Sequence, residues 1–219
     1  MSPNYKYRFL SEPATVDIIA CPFSGGQGRS GVDLAPNRLI SAGLVDQLQK
    51  LGWQVKYESA KSFADIPYNP VPTDAQYTHL AGDKPVNAEE FPTPKASIEP
   101  VMVQRLPDPD IGRMKKPRLV SAVCERVAKE VGEAAAQGAL PLTLGGDHSL
   151  AMGTVLGTKS KYPDACLIWI DAHADINTPG STDSGNLHGC PVSFLLGLEG
   201  TDVEPFNQWI KPCLKPEDL

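Results

Sequence analysis

The stretch "LPLTLGGDHSLAMGTVLGTKSKYPDACLIWIDAH", Leu140–His173, reads as three elements in succession. "LPLTLGG" is a short apolar run closed by two glycines, which predicts a strand ending in a turn. "HSLAMGTVLGTKSKY" predicts a helix, and "ACLIWIDAH" is a continuously apolar run that predicts a second strand. Strands without polar alternation, separated by a helix, point to a parallel sheet covered on both faces. Ligands of such open sheets gather at the carboxyl ends of the strands. In this chain those ends carry His148 on one side and Asp171 with His173 on the other.

The same alternation extends outward. "TVDIIACPF", Thr15–Phe23, predicts a buried strand followed by the Gly-rich turn "SGGQGRSG". "APNRLISAGLVDQLQKLG" places Leu39, Ile40, Leu44, Leu48 and Leu51 at helical spacing, with Pro36 in its first turn and Gly52 at its end. "WQVKYE" predicts another strand. Residues 60–118 are punctuated by prolines and predict long surface loops, with one short strand near "PVMVQRL". In "RLVSAVCERVAKEVGEAAAQG", Val120, Val123, Val127, Val131 and Ala134 fall on one helical face, and Gly138 stops the helix. "PVSFLLGLEG" predicts a further helix. The expected fold class is α/β, a parallel sheet flanked by helices. Residues 1–219 are expected to form one domain with a Pro-rich insertion at about 60–118.

Composition narrows the function. The 219 residues carry a net charge of -6, which opposes attraction to nucleic acid or to an anionic membrane. Hydrophobic residues at 41% and charged residues at 21% match an ordinary globular chain, and no stretch is long and apolar enough to span a bilayer. Cys21, Cys124, Cys166, Cys190 and Cys213 are odd in number and widely spread, so a reducing compartment is expected. The start, "MSPNYKYRFLSEP", has neither an apolar signal core nor an Arg-rich transit character, so the expected location is the cytoplasm.

Of only four histidines, His148 and His173 follow predicted strand ends, and His188 lies in a Gly-flanked loop near the same rim. On an extended backbone Asp171, His173 and Asp175 project from one face, bringing two carboxylates and one imidazole together. Such a mixed oxygen and nitrogen set suits Mn, Fe, Co or Zn. A solvated strand end with a capping Asp is the alternative for these three residues alone. His148, placed beside Asp171 by a parallel neighbour strand, makes metal binding the favoured reading. Asp147 either fixes the His148 tautomer or caps the following helix. His188, in "SGNLHG", either moves protons and orients a substrate or is a structural loop residue.

Taken together, "GGDHS", "DAHADINTP" and "SGNLHG" resemble the ureohydrolase superfamily and, within it, the arginase family. The likeness also covers "PFSGGQGRSGVDLAPNRLISAGL", and so most of the chain outside the Pro-rich segment. It implies a three-layer α/β fold and two Mn(2+) ions at the sheet edge. It further implies His148 as a ligand of the first ion, Asp171 and Asp175 as bridging or near-bridging carboxylates, and His173 as a ligand of the second. His188 matches the family's active-site histidine, which is not a ligand. Asn177 and Ser184 match residues that hold an α-carboxylate, with Asn186 nearby on the same loop. The implied reaction converts L-arginine to L-ornithine and urea by a metal-bridged hydroxide. Agmatinases and other guanidino-acid ureohydrolases share the metal motifs and are the alternative within the superfamily. Family members commonly form homo-oligomers.

The resemblance also implies a later D-x-D-x-x-D motif with further ligands, and a substrate-holding Glu beyond it. After Gly197 the sequence offers only "LEGTDVEPFNQWIKPCLKPEDL". Asp108 and Asp110, upstream in the Pro-rich loops, are not expected to substitute. The expectation is therefore a chain with part of the metal site missing, which binds metal weakly alone. A non-catalytic fragment associating with a full-length subunit is the alternative from another class.

Overall fold

The computed structural model describes residues 15–29, 31–57 and 108–219. Its centre is a three-stranded parallel sheet of β1 (Thr15–Cys21), β2 (Gln54–Tyr57) and β3 (Leu140–Gly145), in the order β2-β1-β3. β1 is the middle strand, with Val16 opposite both Val55 and Leu140. Two-sided burial explains its unbroken apolar run: Val16, Ile18, Ile19, Ala20 and Cys21 are all buried.

Among the described residues the helices are α1 (Ala35–Ser41), α2 (Leu44–Lys50), α3 (Pro117–Ala136), α4 (Ala151–Lys161) and α5 (Pro191–Leu196). α3 packs against β1 and β3, and α4 lies along α3. The predicted valine face of α3 is the one it buries: Val120, Val123, Val127, Val131 and Ala134 are each at most 4% exposed. Asp108 holds the start of α3 by accepting from the backbone N–H groups of Arg118 (3.2 Å) and Leu119 (2.8 Å), a structural task that leaves it no role at the strand ends. The core closes on the aromatic pair Phe194 and Phe206, with ring centroids 4.7 Å apart.

Two expected elements differ. The single helix predicted over "APNRLISAGLVDQLQKLG" is divided into α1 and α2, because Gly43 takes φ 88°, a left-handed conformation that interrupts the helical ladder. The strand predicted within "ACLIWIDAH" does not join the sheet. There the Leu167 N–H is taken by the Asp218 carbonyl at 2.7 Å, and Trp169 turns inward to stack on His148 and donate to the His173 carbonyl. Ile168 and Ile170 are left 78% and 90% exposed. The strand expected near "PVMVQRL" lies outside the described residues, as does His79. Among the described residues no helix is long and apolar enough to cross a membrane.

Candidate metal centre and substrate loop

The candidate site forms where the chain leaves β1 and β3. β3 ends at Gly145, the turn passes through Gly146 and Asp147, and a short 3-10 turn, His148–Leu150, leads into α4. The Asp147 N–H donates to the Phe23 carbonyl (2.8 Å), locking the loop after β3 to the loop after β1. Its side chain caps the helical start by accepting from the Ser149 N–H at 2.9 Å. A second acceptance, from the Gly26 N–H at 2.8 Å, reaches back to the Gly-rich turn. The Asp147 carboxylate therefore serves as a cap and as an inter-loop tie, and makes no bond to the His148 ring. Burial pushes its pKa up, while the hydrogen bonds from Ser149 and Gly26 oppose that shift.

His148 stands at the centre of an acidic group. Its Nδ1 lies 2.8 Å from Asp171 Oδ2 and 2.9 Å from Asp175 Oδ2. Donor atoms of His148, Asp171 and Asp175 all fall within 4.8 Å of one another. Trp169 stacks against the imidazole at a centroid distance of 4.4 Å and an interplanar angle of 25°. The chain reaches this geometry by bending: Asp175 adopts φ 46°, a left-handed conformation uncommon outside glycine. The His173 N–H donates to Asp171 Oδ1 at 2.8 Å, a local turn that Asp readily forms. That hydrogen bond, with smaller help from the neighbouring histidines, holds the Asp171 carboxyl below its ordinary value.

The bend changes the expected ligand geometry. An extended Asp171–Asp175 segment would aim all three side chains one way, but the turn at residues 171–173 and the left-handed Asp175 abolish that alternation. His148, Asp171 and Asp175 converge, whereas the His173 side chain is 81% exposed, with Nδ1 at 3.4 Å from Asp171 Oδ1.

The converging three fit a cation on their own chemistry. A single ring nitrogen carries at most one hydrogen, yet two carboxylates point at Nδ1 of His148. The surplus of negative charge and lone pairs is what a divalent ion of the Mn, Fe, Co or Zn group satisfies. Cys190 adds no thiolate: burial and then the nearby Asp175 charge push its thiol up to about 12.

The loop after Asp175 folds back over the Gly-rich turn. The Asn177 N–H donates to the Gly189 carbonyl (3.1 Å), and Asn177 Oδ1 accepts from Ser181 Oγ at 3.1 Å. Ser184 Oγ accepts the Asn186 N–H at 3.2 Å. His188 donates its backbone N–H to the Gly26 carbonyl (2.9 Å), and its Nδ1 lies 3.1 Å from the same oxygen. Asn177 and Ser184 are exposed, and Asn186 is half-buried. On the outer side, the Lys115 N–H donates to the Gly185 carbonyl at 3.0 Å and Arg113 to the Thr182 carbonyl at 3.2 Å, so residues 113–115 brace the loop. Arg29 is exposed beside Gln27, to whose Oε1 its N–H donates at 3.3 Å. Trp169 and the bracing Arg113 carry no motif of their own; the tryptophan two residues before the strand-end Asp171 was the available signal.

An imidazole and two carboxylates beside the carboxyl edge of a parallel sheet define an α/β protein with a candidate metal centre. Residues 14–219 match the arginase family, and the chain belongs to it. The arginase of Glaciozyma antarctica is 51% identical over 96% of this chain and 52% of its own length. Arginase-1 of Rattus norvegicus is 36% identical over 95% of this chain and 53% of its own length. The chain thus spans about half the length of these relatives. The crystal structure of the Glaciozyma antarctica enzyme superposes with a TM-score of 0.64, covering 100% of this chain and 57% of that one, with 41% of paired residues identical. Arginase from Bacillus caldovelox superposes with a TM-score of 0.67 at 29% identity, over 94% of this chain and 56% of that one.

Proposed function

We propose that this chain carries the strand-end half of an arginase site acting on L-arginine, with ornithine and urea as products, in the cytoplasm. The observation that carries the proposal is the convergence of Asp171 and Asp175 on one nitrogen of His148. These three would hold manganese, with His173 joining them if its exposed ring turns inward. When bound, the metal pair supplies an activated water and positive charge near neutral pH.

The chain's own residues supply recognition and proton handling. With its Oδ1 already accepting from Ser181, Asn177 has its amide N–H groups left to donate. Ser184 Oγ accepts from Asn186 and keeps its hydroxyl hydrogen. Both residues therefore present donors, which suits an α-carboxylate and has no counterpart in a decarboxylated substrate. Asn186 lies on the same loop. His188, whose Nδ1 lies 3.1 Å from the Gly26 carbonyl, carries a proton to the departing amine in this reading. The acidic group also offsets the positive charge of a guanidinium.

A second reading, association with an intact subunit, has one observation in its favour: the exposed Ile168 and Ile170 of the run that joins no strand. Urea release by the purified chain with manganese, with arginine and agmatine in parallel, tests both. Urea from arginine alone is expected if these residues suffice. Urea from agmatine at an equal rate overturns the carboxylate role of Asn177 and Ser184. No urea, with co-purification of a full-length subunit, favours the second reading.

A further inference from the structure

We propose that Asp147 is a positioning residue for His188, acting through Gly26 to fix which nitrogen of the His188 ring carries the hydrogen. The proposal rests on the reading of His188 as the proton carrier and adds the group that prepares it.

The path is short and each link is a hydrogen bond. Asp147 Oδ1 accepts from Ser149 N (2.9 Å) and Ser149 Oγ (2.5 Å), and Oδ2 accepts from Gly26 N (2.8 Å). Three donors hold this buried carboxylate in one orientation, and the Asp147 N–H bond to the Phe23 carbonyl holds its backbone. Gly26, fixed at its nitrogen, turns its carbonyl to His188, where it receives the His188 N–H and lies 3.1 Å from Nδ1. A carbonyl only accepts, so the bonded Nδ1 must carry the hydrogen. The neutral ring is therefore held as the Nδ1–H tautomer, and Nε2 keeps the lone pair. A ring so held takes up and gives back a proton at one atom, Nε2, which is what a proton carrier requires. The approach is close enough to demand glycine at position 26, since a methyl group there would collide with the Asp147 carboxylate and the Ser149 hydroxyl.

A purely structural Asp147 would affect stability and leave the ring chemistry unchanged, so the test reads the ring. The metal-free 219-residue chain, labelled with ¹⁵N-histidine, is examined by long-range ¹H–¹⁵N correlation, with His188→Gln used for assignment. The expected wild-type result is the Nδ1–H pattern for His188. Asp147→Ala is expected to lose that pattern in favour of mixed tautomers, while Ser149→Ala, which leaves the Gly26 bond in place, retains it. If Asp147→Ala does not fold, Asp147→Leu, of similar size and without an acceptor for the Gly26 N–H, carries the comparison. An Nε2–H pattern in the wild type, or an unchanged Nδ1–H pattern in a folded Asp147 variant, overturns the proposal. The readout is independent of turnover: failure to make urea with the tautomer intact would count against the arginase reading alone.

Discussion

Two strand-end regions of this molecule were built by similar sequence signals and reached opposite states. The corner between β1 and β3 is cross-linked: Phe23, Gly26, Asp147, Ser149 and His188 share a continuous hydrogen-bond network over a buried core. The stretch from Cys166 to His173 has equally apolar residues but no place in the sheet, and its isoleucines face solvent. The difference lies in partners, not in composition. β3 has β1 to receive its backbone groups, whereas the later run is held, among the described residues, by Asp218 at one end and by Trp169 and Asp171 on His148 at the other. A metal ion held by His148, Asp171 and Asp175 would straddle both regions, with the hydrogen-bonded corner as one wall and the run outside the sheet as the other.

Stability should separate the exposed run most sharply from the core beneath the cross-linked corner, which holds Phe23, Leu150 and Phe194. Phe194 is 1% exposed and packs on Phe206, so Phe194→Ala is expected to destabilise by about 3–5 kcal/mol. Ile170, at 90% exposed, has almost nothing to lose, and Ile170→Ser should stay within about 0.5 kcal/mol of wild type. Denaturant titration of both variants checks the contrast. A large loss at Ile170 would mean that the exposed run is covered in solution, and the comparison would break.

Metal affinity should divide the ligands themselves. Asp175→Asn removes a buried carboxylate from the converging group and is expected to weaken manganese binding by about 100-fold, at least the upper end of what losing a supporting contact does. His173→Ala, whose ring is 81% exposed and outside the group, should leave affinity close to that of the wild-type chain. Calorimetric titration with manganese measures both. Equal losses would show that the 171–173 turn reorganises around the ion and brings His173 into the centre.

Much of this was legible before any coordinates. Val120, Val123, Val127 and Val131 announced the buried face of α3, and the glycine-ended runs announced β3 and the location of His148. His148, Asp171 and Asp175 were legible as a group because strand ends of a parallel sheet converge. The position of His173 was not, because residue spacing predicts a face only while the backbone stays regular, and a single left-handed Asp175 resets the direction of what precedes it. The run from Cys166 to His173 stays out of the sheet for a related reason. Apolar continuity records that a segment is suited to burial, while strand formation also needs a neighbouring edge to take its hydrogen bonds. The path from Asp147 to His188 spans 41 residues and passes through a third segment. Its only sequence trace was the pair of Gly-Gly turns, at 25–26 and 145–146, that let two loops approach.

The smallest expected effect concerns the tether at the far end of the exposed run. Asp218 gives its carbonyl to Leu167, and its carboxylate accepts from Lys215 N at 3.0 Å and lies 3.5 Å from Lys159 Nζ. The Lys215 bond first, and then the Lys159 charge, hold the Asp218 carboxyl below its ordinary value. A carboxyl depressed in the folded state favours folding wherever it is ionised there, and that contribution fades as pH falls through the folded-state value. Asp218→Asn should therefore lower the melting temperature slightly at neutral pH, and the gap between variant and wild type should close below about pH 4. Thermal melts from pH 7 down to pH 3 measure the gap. A gap that persists into acid would show that the loss does not come from the carboxylate's charge, and a gap that widens there would reverse the sign argued for it.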